Sequence, residues 1–457
     1  MSATGHVIER SPTGVTAFVG RTLRGPLDRP VRIGSFAEFE QTFGGLWQPA
    51  PLSYAVEQYF DNGGRQAIVV RVANGARAPT LTLRAGRGEL RLAGVHPGSR
   101  EYLRAAVDYD SVGGESDRFN LVLQRLRLPG TERIEDQESF RRVSIEPGSA
   151  RFVGDLLLGS RLVRLRGAAP AVRPDITTHG TSGGAVRYVS SGPDGDDGAP
   201  LSDYDVIGSA AGGTGLWALQ GQEGFDVLCI PPLARDRDVG LATLHVASRF
   251  CRERQAMLVV DPPVDWTSAE QALLALHAWP FRSSNAAMFY PRIAAFDRLR
   301  NRVETFGSAG AAAGMLARED RVLPVWAPAQ GEEVILRPGL KPAVPVEDPQ
   351  RLRLSRAGIN TLLGARSSGR ARLIPCTLAG GAGGPAEWRH LAARRLALFV
   401  VSSIERGTRW LLAAPNGPVT WAQAQSEVAS FLEGLYREGA FAASPPEDSY
   451  FVICDER

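Results

Sequence analysis

The chain has 457 residues, of which 44% are hydrophobic and 22% are charged. One hydrophobic core rarely serves a chain of this length, so we expect two to four domains. The net charge is only +3, and no basic run alternates with aromatic residues, which argues against a nucleic-acid partner. The longest apolar runs are far shorter than a bilayer span, so we expect no direct membrane insertion.

Cysteine usage points to a reducing compartment. The four cysteines are Cys229, Cys251, Cys376 and Cys454, and no CxxC pair occurs. Three of them lie in apolar runs, as buried free thiols usually do. The first twenty residues lack the charged start and apolar core of a signal peptide, so we expect the chain to be cytoplasmic while it assembles.

Residues 1–73 predict a compact α/β unit. Strands over Gly14–Gly20 and "PVRIGS" precede a short helix that Ser35 caps, with Glu38 completing a capping box. "LSYAVEQYFDNGG" predicts a second helix with one apolar face. The continuous apolar run Ala67–Val72 is typical of a strand that is covered on both faces of its sheet.

Residues 74–205 predict an inserted, strand-rich domain. "TLTLRAGRGELRLAG" and Phe119–Leu128 alternate apolar and polar residues, as half-exposed strands do. "IEDQESFRRVSI" predicts a helix, and "DLLLGSRLVRL" predicts a helix end followed by a strand. The glycine-, serine- and aspartate-rich stretch Gly180–Leu201 predicts a surface loop.

Residues 206–350 predict a layered α/β middle domain. "FDVLCIPP", "AMLVVDPP" and "AAMFYP" are buried strands that alternate with the helical patterns "DVGLATLHVASRFCRER" and "SAEQALLALHAW". "AGAAAGMLARED" predicts a closely packed helix of small residues.

Residues 351–457 predict a strand in "ARLIPCTL", two long helices and a final buried strand, Tyr450–Cys454. Thr420 and Gln423 are the expected capping pair of the second helix, and its apolar stripe indicates core packing. The fold class predicted from these four segments is α/β, or more broadly α+β multidomain.

Three motifs suggest chemistry, and none has the context that the chemistry needs. "GTSGG" matches GxSxG with Ser182 as nucleophile and His179 nearby, but no strand and helix flank it. "AAGGTGL" lacks the Lys-Ser/Thr of a phosphate-binding loop. In "PDGDDG", Asp194 and Asp196 are spaced like calcium ligands, but Asp205 stands at the twelfth position instead of glutamate. We therefore predict no catalytic, cofactor or metal site.

Two long stretches resemble a known family. They are "TAFVGRTLRGPLDRPVRIGSFAEFEQTFGGLWQPAPLSYAVEQYFDNGGRQAIVVRV" and "RRLALFVVSSIERGTRWLLAAPNGPVTWAQAQSEVASFLEGLYREGAFAASPPEDSYFVICDE". Both look like the sheath protein of contractile phage tails and related injection machines, and "GFDVLCIPP", "AMLVVDPP" and "PVWAPAQG" fall between them in the family's order.

The resemblance implies that the first and last segments form one inner sheath domain and that the middle segments lie outward. It implies subunits that surround an inner tail tube, meet a baseplate or terminal cap protein, and join their neighbours by β-augmentation as homo- or hetero-oligomers. Residues expected in assembly are Arg394, Arg395, Tyr450, Phe451, Val452 and Ile453. A solvated helix face is the alternative for the two arginines.

The sequence also departs from the family pattern. The family's "PGVYIEE"-like arm is missing ahead of "TAFVG", and the chain stops soon after "CDE". "LIPCTLAGG" and "APN" replace the family's "WGART" and "EPN" phrases. These departures favour a specialised subunit at a lattice end, with an open sheet edge that receives a partner's strand. The alternatives are an ordinary sheath subunit with short arms, a serine hydrolase using Ser182, and a scaffold or chaperone that binds sheath subunits before assembly.

Overall fold

Ten helices and seventeen strands make up the part of the chain that the computed structural model describes, namely residues 7–112, 114–131, 133–177, 187–327, 335–364, 374–379, 386–442 and 445–455. The helices are α1 (Phe36–Phe43), α2 (Pro51–Asp61), α3 (Val153–Leu158), α4 (Asp203–Ile207), α5 (Leu241–Glu253), α6 (Ala269–Ala278), α7 (Ala309–Glu319), α8 (Asp348–Arg356), α9 (Leu391–Gly407) and α10 (Pro418–Arg437).

The strands are β1 (Val15–Gly20), β2 (Val31–Ile33), β3 (Gln66–Arg71), β4 (Thr80–Ala85), β5 (Gly88–Gly94), β6 (Tyr102–Asp108), β7 (Arg118–Leu126), β8 (Ile134–Ser144), β9 (Val163–Leu165), β10 (Val189–Ser190), β11 (Val227–Cys229), β12 (Met257–Val260), β13 (Ala286–Tyr290), β14 (Ile293–Asp297), β15 (Arg302–Phe306), β16 (Lys341–Pro342) and β17 (Asn360–Thr361).

A seven-stranded sheet in the order β17-β13-β12-β11-β1-β3-β2 forms the centre of the molecule. All its neighbouring pairs are parallel except β2 with β3. β1 is buried along its whole length, and Ala17 lies opposite Ile68 on one side and Leu228 on the other. The sheet has one apolar core on each face, as the mostly apolar sequences of β1 and β3 require.

Helix α7 packs closely against α2 because two of its glycines face the α2 backbone. A Cβ atom on Gly310 would lie 2.2 Å from the carbonyl oxygen of Ala55, and one on Gly314 would lie 2.3 Å from that of Tyr59. The predicted helix of small residues is therefore correct, and its composition is explained by this backbone contact.

Residues between β3 and α4 form two antiparallel sheets, β4-β5-β9 and β10-β6-β7-β8, around a hydrophobic core of their own. The chain enters and leaves this inserted region at one place, where the backbone N–H of Ala199 donates to the carbonyl oxygen of Asn74 at 2.9 Å. The four domain boundaries remain a prediction, but the central sheet joins the strands of residues 1–73 to those of the middle α/β segment.

Charged side chains are buried where the inserted region meets the central sheet. Arg71 is 1% exposed and donates to the carbonyl oxygen of Gly25 at 2.7 Å. Arg24 pairs with Glu135 across the junction. Glu101 lies 3.5 Å from Arg125, but neither carboxylate oxygen has a hydrogen-bond partner among the described residues. Buried ionisable side chains therefore contribute to the contact between the inserted region and the central sheet.

The predicted helix in "IEDQESFRRVSI" is wrong, because these residues form β8. They pair with β7 over nearly its whole length, with two register shifts. Their burial alternates along the strand, so cross-strand pairing has overridden a composition that favours a helix.

Two smaller predictions are also wrong. The first three residues of "ARLIPCTL" lie outside the described residues, and residues 374–378 lie in no strand, although Cys376 and His390 form an isolated bridge. Helix α10 begins at Pro418 after Gly417, and the Thr420 hydroxyl donates to the carbonyl oxygen of Pro415, so Thr420 lies in the first turn and is not the cap. The predicted Ser35 cap of α1 is correct, since its hydroxyl accepts from the Glu38 N–H at 3.2 Å.

Candidate assembly site

Helices α9 and α10 form a layer beside the central sheet with a small core of their own. Phe399 of α9 packs with Leu432 and Leu435 of α10 and with Val325. The expected apolar stripe of α10 therefore does pack in a core, and the last described residues lie on this layer.

The predicted terminal strand over Tyr450–Cys454 is wrong. These residues are in no strand, and Phe451 and Ile453 are 82% and 63% exposed. Tyr450 and Val452 point the other way: the Tyr450 hydroxyl donates to Glu433 at 2.7 Å, and the Val452 carbonyl accepts from Gln425 at 2.8 Å. The segment thus lies along side chains of α10, which offers no backbone edge to pair with, and presents Phe451 and Ile453 to solvent.

Arg395 lies inside the molecule and not on a solvated helix face. Its guanidinium is 2.5 Å from a carboxylate oxygen of Asp320 and 3.1 Å from one of Asp226. Burial raises the pKa of Asp226, and the positive charge of Arg395 opposes that rise. This buried ion triad ties α9 to the end of α7 and to the residue before β11.

Arg394 lies at the boundary between α9 and the sheet. Its guanidinium donates to the side-chain oxygen of Asn285 at 2.6 Å and stands 4.8 Å above the ring of Trp388. The structure therefore gives both arginines intramolecular partners, and their predicted part in assembly stays a prediction.

The N-terminal segment Val7–Thr13 runs across α9. Ile8 is 6% exposed and packs on Gly407, where an added Cβ would lie 2.8 Å from the Ile8 side chain. The Ser11 N–H donates to the Ser403 hydroxyl at 2.9 Å, and Arg10 pairs with Glu438 just past α10. No sequence pattern predicts this contact, because its two sides are about four hundred residues apart.

The residues singled out for chemistry have structural roles where they are described. Ser182 and His179 lie outside the described residues. Asp194 accepts from the Thr80 N–H at 2.9 Å, Asp196 pairs with Arg77, and Asp205 caps α4 by accepting from the Ser202 N–H. The described part of the chain contains no group of three metal-ligating side chains.

The cysteines are free thiols in the described structure. Cys229, Cys251 and Cys376 are buried, and Cys454 is half-buried. Burial raises the pKa of Cys376 to about 11, so this thiol is protonated at neutral pH. Among the described helices, none combines the length and the apolar character that a bilayer crossing requires.

No protein-family model and no curated protein matches the sequence. Solved structures do match, over almost the whole chain. A sheath tail protein from Listeria innocua is 13% identical, covering 96% of this chain and 87% of that chain with a TM-score of 0.61. One from Desulfitobacterium hafniense is 11% identical, with coverages of 96% and 89% and a TM-score of 0.56. This chain has the sheath tail protein fold.

The sheath complex of the extracellular contractile injection system PVC, in its contracted state, shares this fold too. It is 16% identical and covers 99% of this chain and 84% of that chain, with a TM-score of 0.51. The mixed α/β multidomain class expected from the sequence is confirmed by the sheath fold.

Proposed function

We propose that this chain is a structural subunit of the sheath of a contractile tail or injection system, with no catalytic activity. The observation that carries the proposal is the sheath fold, which matches sheath proteins over 96–99% of the chain. Its partners are then other sheath subunits, an inner tail tube, and a baseplate or terminal cap protein. It assembles in the cytoplasm and functions in a phage tail or an extracellular particle.

Electron microscopy of the full chain, produced together with the tube and baseplate proteins of its particle, tests this proposal. We expect the chain in rings or tubes that enclose the inner tube. A chain that stays monomeric beside assembled tubes, and is missing from purified particles, contradicts the proposal.

The same images separate two positions in the particle. A subunit of the ordinary sheath builds long tubes, whereas a subunit at a lattice end adds one ring next to the baseplate or cap. Long tubes that contain this chain alone rule out the lattice-end position.

Of the six predicted assembly residues, two have mainly exposed side chains and four make contacts within the chain. Phe451 and Ile453 project from an extended segment whose backbone is in no sheet, a geometry compatible with pairing to a neighbour's strand. Tyr450 and Val452 hold the segment on α10. Arg394 and Arg395 act on assembly only through the placement of α9.

The double variant Phe451→Asp with Ile453→Asp tests this assignment. We expect it to fold like the wild type, because both side chains are exposed, and to lose incorporation into particles. Leu158→Asp, at a residue that is 70% exposed in the inserted region, is the matched control and is expected to incorporate normally. Equal incorporation of all three proteins contradicts the assignment.

A further inference from the structure

Two adjacent chain segments connect the inserted region to the rest of the fold. Beside the bridge between Asn74 and Ala199, each segment has a glycine in the left-handed region, with φ +72° at Gly75 and φ +77° at Gly198. Glycine lacks the Cβ atom that restricts backbone rotation, so these two positions can absorb a change of chain direction. The connection therefore has the composition of a hinge.

Apolar packing does not hold the inserted region against the central sheet. The hydrophobic core of this region takes its described members from residues 81–189 alone, and the two cores of the central sheet contain none of those residues. The two parts of the molecule can therefore move relative to each other while every described core stays intact.

Two arginines from the loop after β1 contact the inserted region. Arg24 pairs with Glu135 of β8. Arg21 donates to the carbonyl oxygens of Asp197 and Gly198, at 3.0 Å and 2.8 Å. Because these two carbonyls belong to the connection itself, a rotation about it can preserve the contacts of Arg21 while it separates Arg24 from Glu135.

The junction also contains buried polar atoms that have no partner. In the described part of the chain, fifteen buried side-chain nitrogen or oxygen atoms lack a hydrogen bond, and seven of them lie at this junction. They are both carboxylate oxygens of Glu101, the Nδ1 atom of His96, and the Nε atoms of Arg21, Arg24, Arg71 and Arg125. None of these atoms has appreciable exposed surface, so water does not reach them in this arrangement.

Glu101 shows the cost of this arrangement most directly. It is 2% exposed, and its carboxylate lies 3.5 Å from the guanidinium of Arg125. Burial raises the pKa of Glu101, and the positive charges of Arg125 and Arg24 oppose this rise only in part. A buried polar group without a partner costs about 1–3 kcal/mol, and hydration of the group removes that cost.

We propose that the inserted region rotates as a rigid body about a hinge at Gly75 and Gly198. It moves between the closed arrangement described above and an open arrangement in which water enters the junction. The Arg24–Glu135 pair holds the closed arrangement, whereas hydration of Glu101 favours the open one. This inference goes beyond the proposed function and does not rest on it.

Distances between spin labels, measured by electron resonance in the isolated full chain, test the hinge. The chain carries Cys454→Ser, which removes the half-buried cysteine, while the other three cysteines are buried. Labels at Leu158→Cys in the inserted region and Leu274→Cys on α6 use positions that are 70% and 73% exposed. We expect two distances for this pair. Labels at Leu274→Cys and Val322→Cys, both outside the inserted region, are the control pair and should give one distance.

Two substitutions should shift the populations in opposite directions. Arg24→Met removes the closing ion pair and should raise the ratio of open to closed chains at least about tenfold. Glu101→Met removes the unpartnered carboxylate and should lower this ratio at least about fivefold. Glu89→Met, at a carboxylate of β5 that is 44% exposed, is the matched control and should leave the ratio unchanged. Thermal unfolding confirms that each variant is folded.

A single distance for the first pair of labels, in wild type and in Arg24→Met alike, overturns the inference, because the junction then does not open. Shifts of Arg24→Met and Glu101→Met in the same direction overturn it as well, because Glu101 then does not drive the opening. Incorporation into particles is a separate readout. Failure of the hinge leaves the sheath function in place, and absence of the chain from particles leaves the hinge in place.

Discussion

Arg395 joins the C-terminal helical layer to the central sheet through a buried ion triad. Its side chain is 7% exposed and pairs with two carboxylates that lie 169 and 75 residues away in the sequence. The sequence places Arg395 on a helix, but it cannot indicate which distant carboxylates that helix meets. For this reason an arginine expected at an interface or in solvent proves to be internal.

Replacing Arg395 by methionine should therefore destabilise the fold by about 3–5 kcal/mol, because Asp226 and Asp320 stay buried without a counter-ion. Urea denaturation measures the loss. Arg406→Met, at an exposed position of the same helix, should change the stability by no more than about 0.5 kcal/mol. Adding Asp226→Asn and Asp320→Asn to Arg395→Met should recover part of the loss, and no recovery would contradict the ion-triad interpretation.

His96, at the junction with the inserted region, gives a second prediction at this scale. Burial, together with the positive charges of Arg125 and Arg71, lowers the pKa of His96 to about 4. The unfolded chain binds a proton near pH 6.5 and the folded chain does not, so this part of the stability is present above pH 6.5 and is lost as the pH falls toward 4.

We expect wild type to lose about 2 kcal/mol more than His96→Gln between pH 7.5 and pH 5. Urea denaturation at the two pH values measures this difference. Glu101 works in the opposite direction in wild type and variant alike, because burial raises its pKa, so the comparison isolates the histidine. Equal losses in both proteins would show that His96 titrates normally.

At the scale of elements, apolar strands and strands with clear alternation were predictable, and the mostly polar edge strand β8 was not. The sequence predicted β1, β3, β11, β12 and β13 from their mostly apolar runs, since both faces of the central sheet are covered. β8 was missed because it lies at a sheet edge with little burial, where its apolar residues show neither the helical nor the strand periodicity. The last segment, Tyr450–Cys454, has strand composition, but the surface on which it lies is helical.

Because α7 packs closely on α2, glycine-to-alanine substitutions in α7 and in α10 should change the stability in opposite directions. Gly310→Ala should destabilise the fold by about 1–3 kcal/mol, since the new methyl group would meet the Ala55 carbonyl. Gly434→Ala in α10, where no atom lies within 4 Å of the added Cβ, should stabilise it by about 0.5–1 kcal/mol. Thermal or urea unfolding of both variants checks the pair, and stabilisation by Gly310→Ala would contradict the close contact.

At the scale of the whole molecule, the inserted region is connected to the rest of the fold by two chain segments that lie side by side. Asn74 and Ala199 are bridged, so a short linker can replace what lies between them. The region also has its own hydrophobic core. We therefore expect it to be separable from the rest of the fold.

A chain in which residues 76–197 are replaced by a short glycine-serine linker should still unfold cooperatively. It should be less stable than the full chain, because Arg24 and Arg21 lose their partners Glu135 and Asp197. Circular dichroism with urea denaturation measures both properties. Loss of cooperative unfolding in this chain would show that the central sheet depends on the inserted region.

The seat of Ile8 on Gly407 has a consequence for biosynthesis. A ribosome that adds 5–20 residues per second needs roughly 20–80 s to proceed from Ile8 to Gly407. Ile8 therefore leaves the ribosome long before the helix that buries it. Until α9 has left the exit tunnel, the segment Val7–Thr13 can bind chaperones or another nascent copy of the chain. Synthesis of α9 thus sets the time at which this segment of a nascent subunit is protected from premature association.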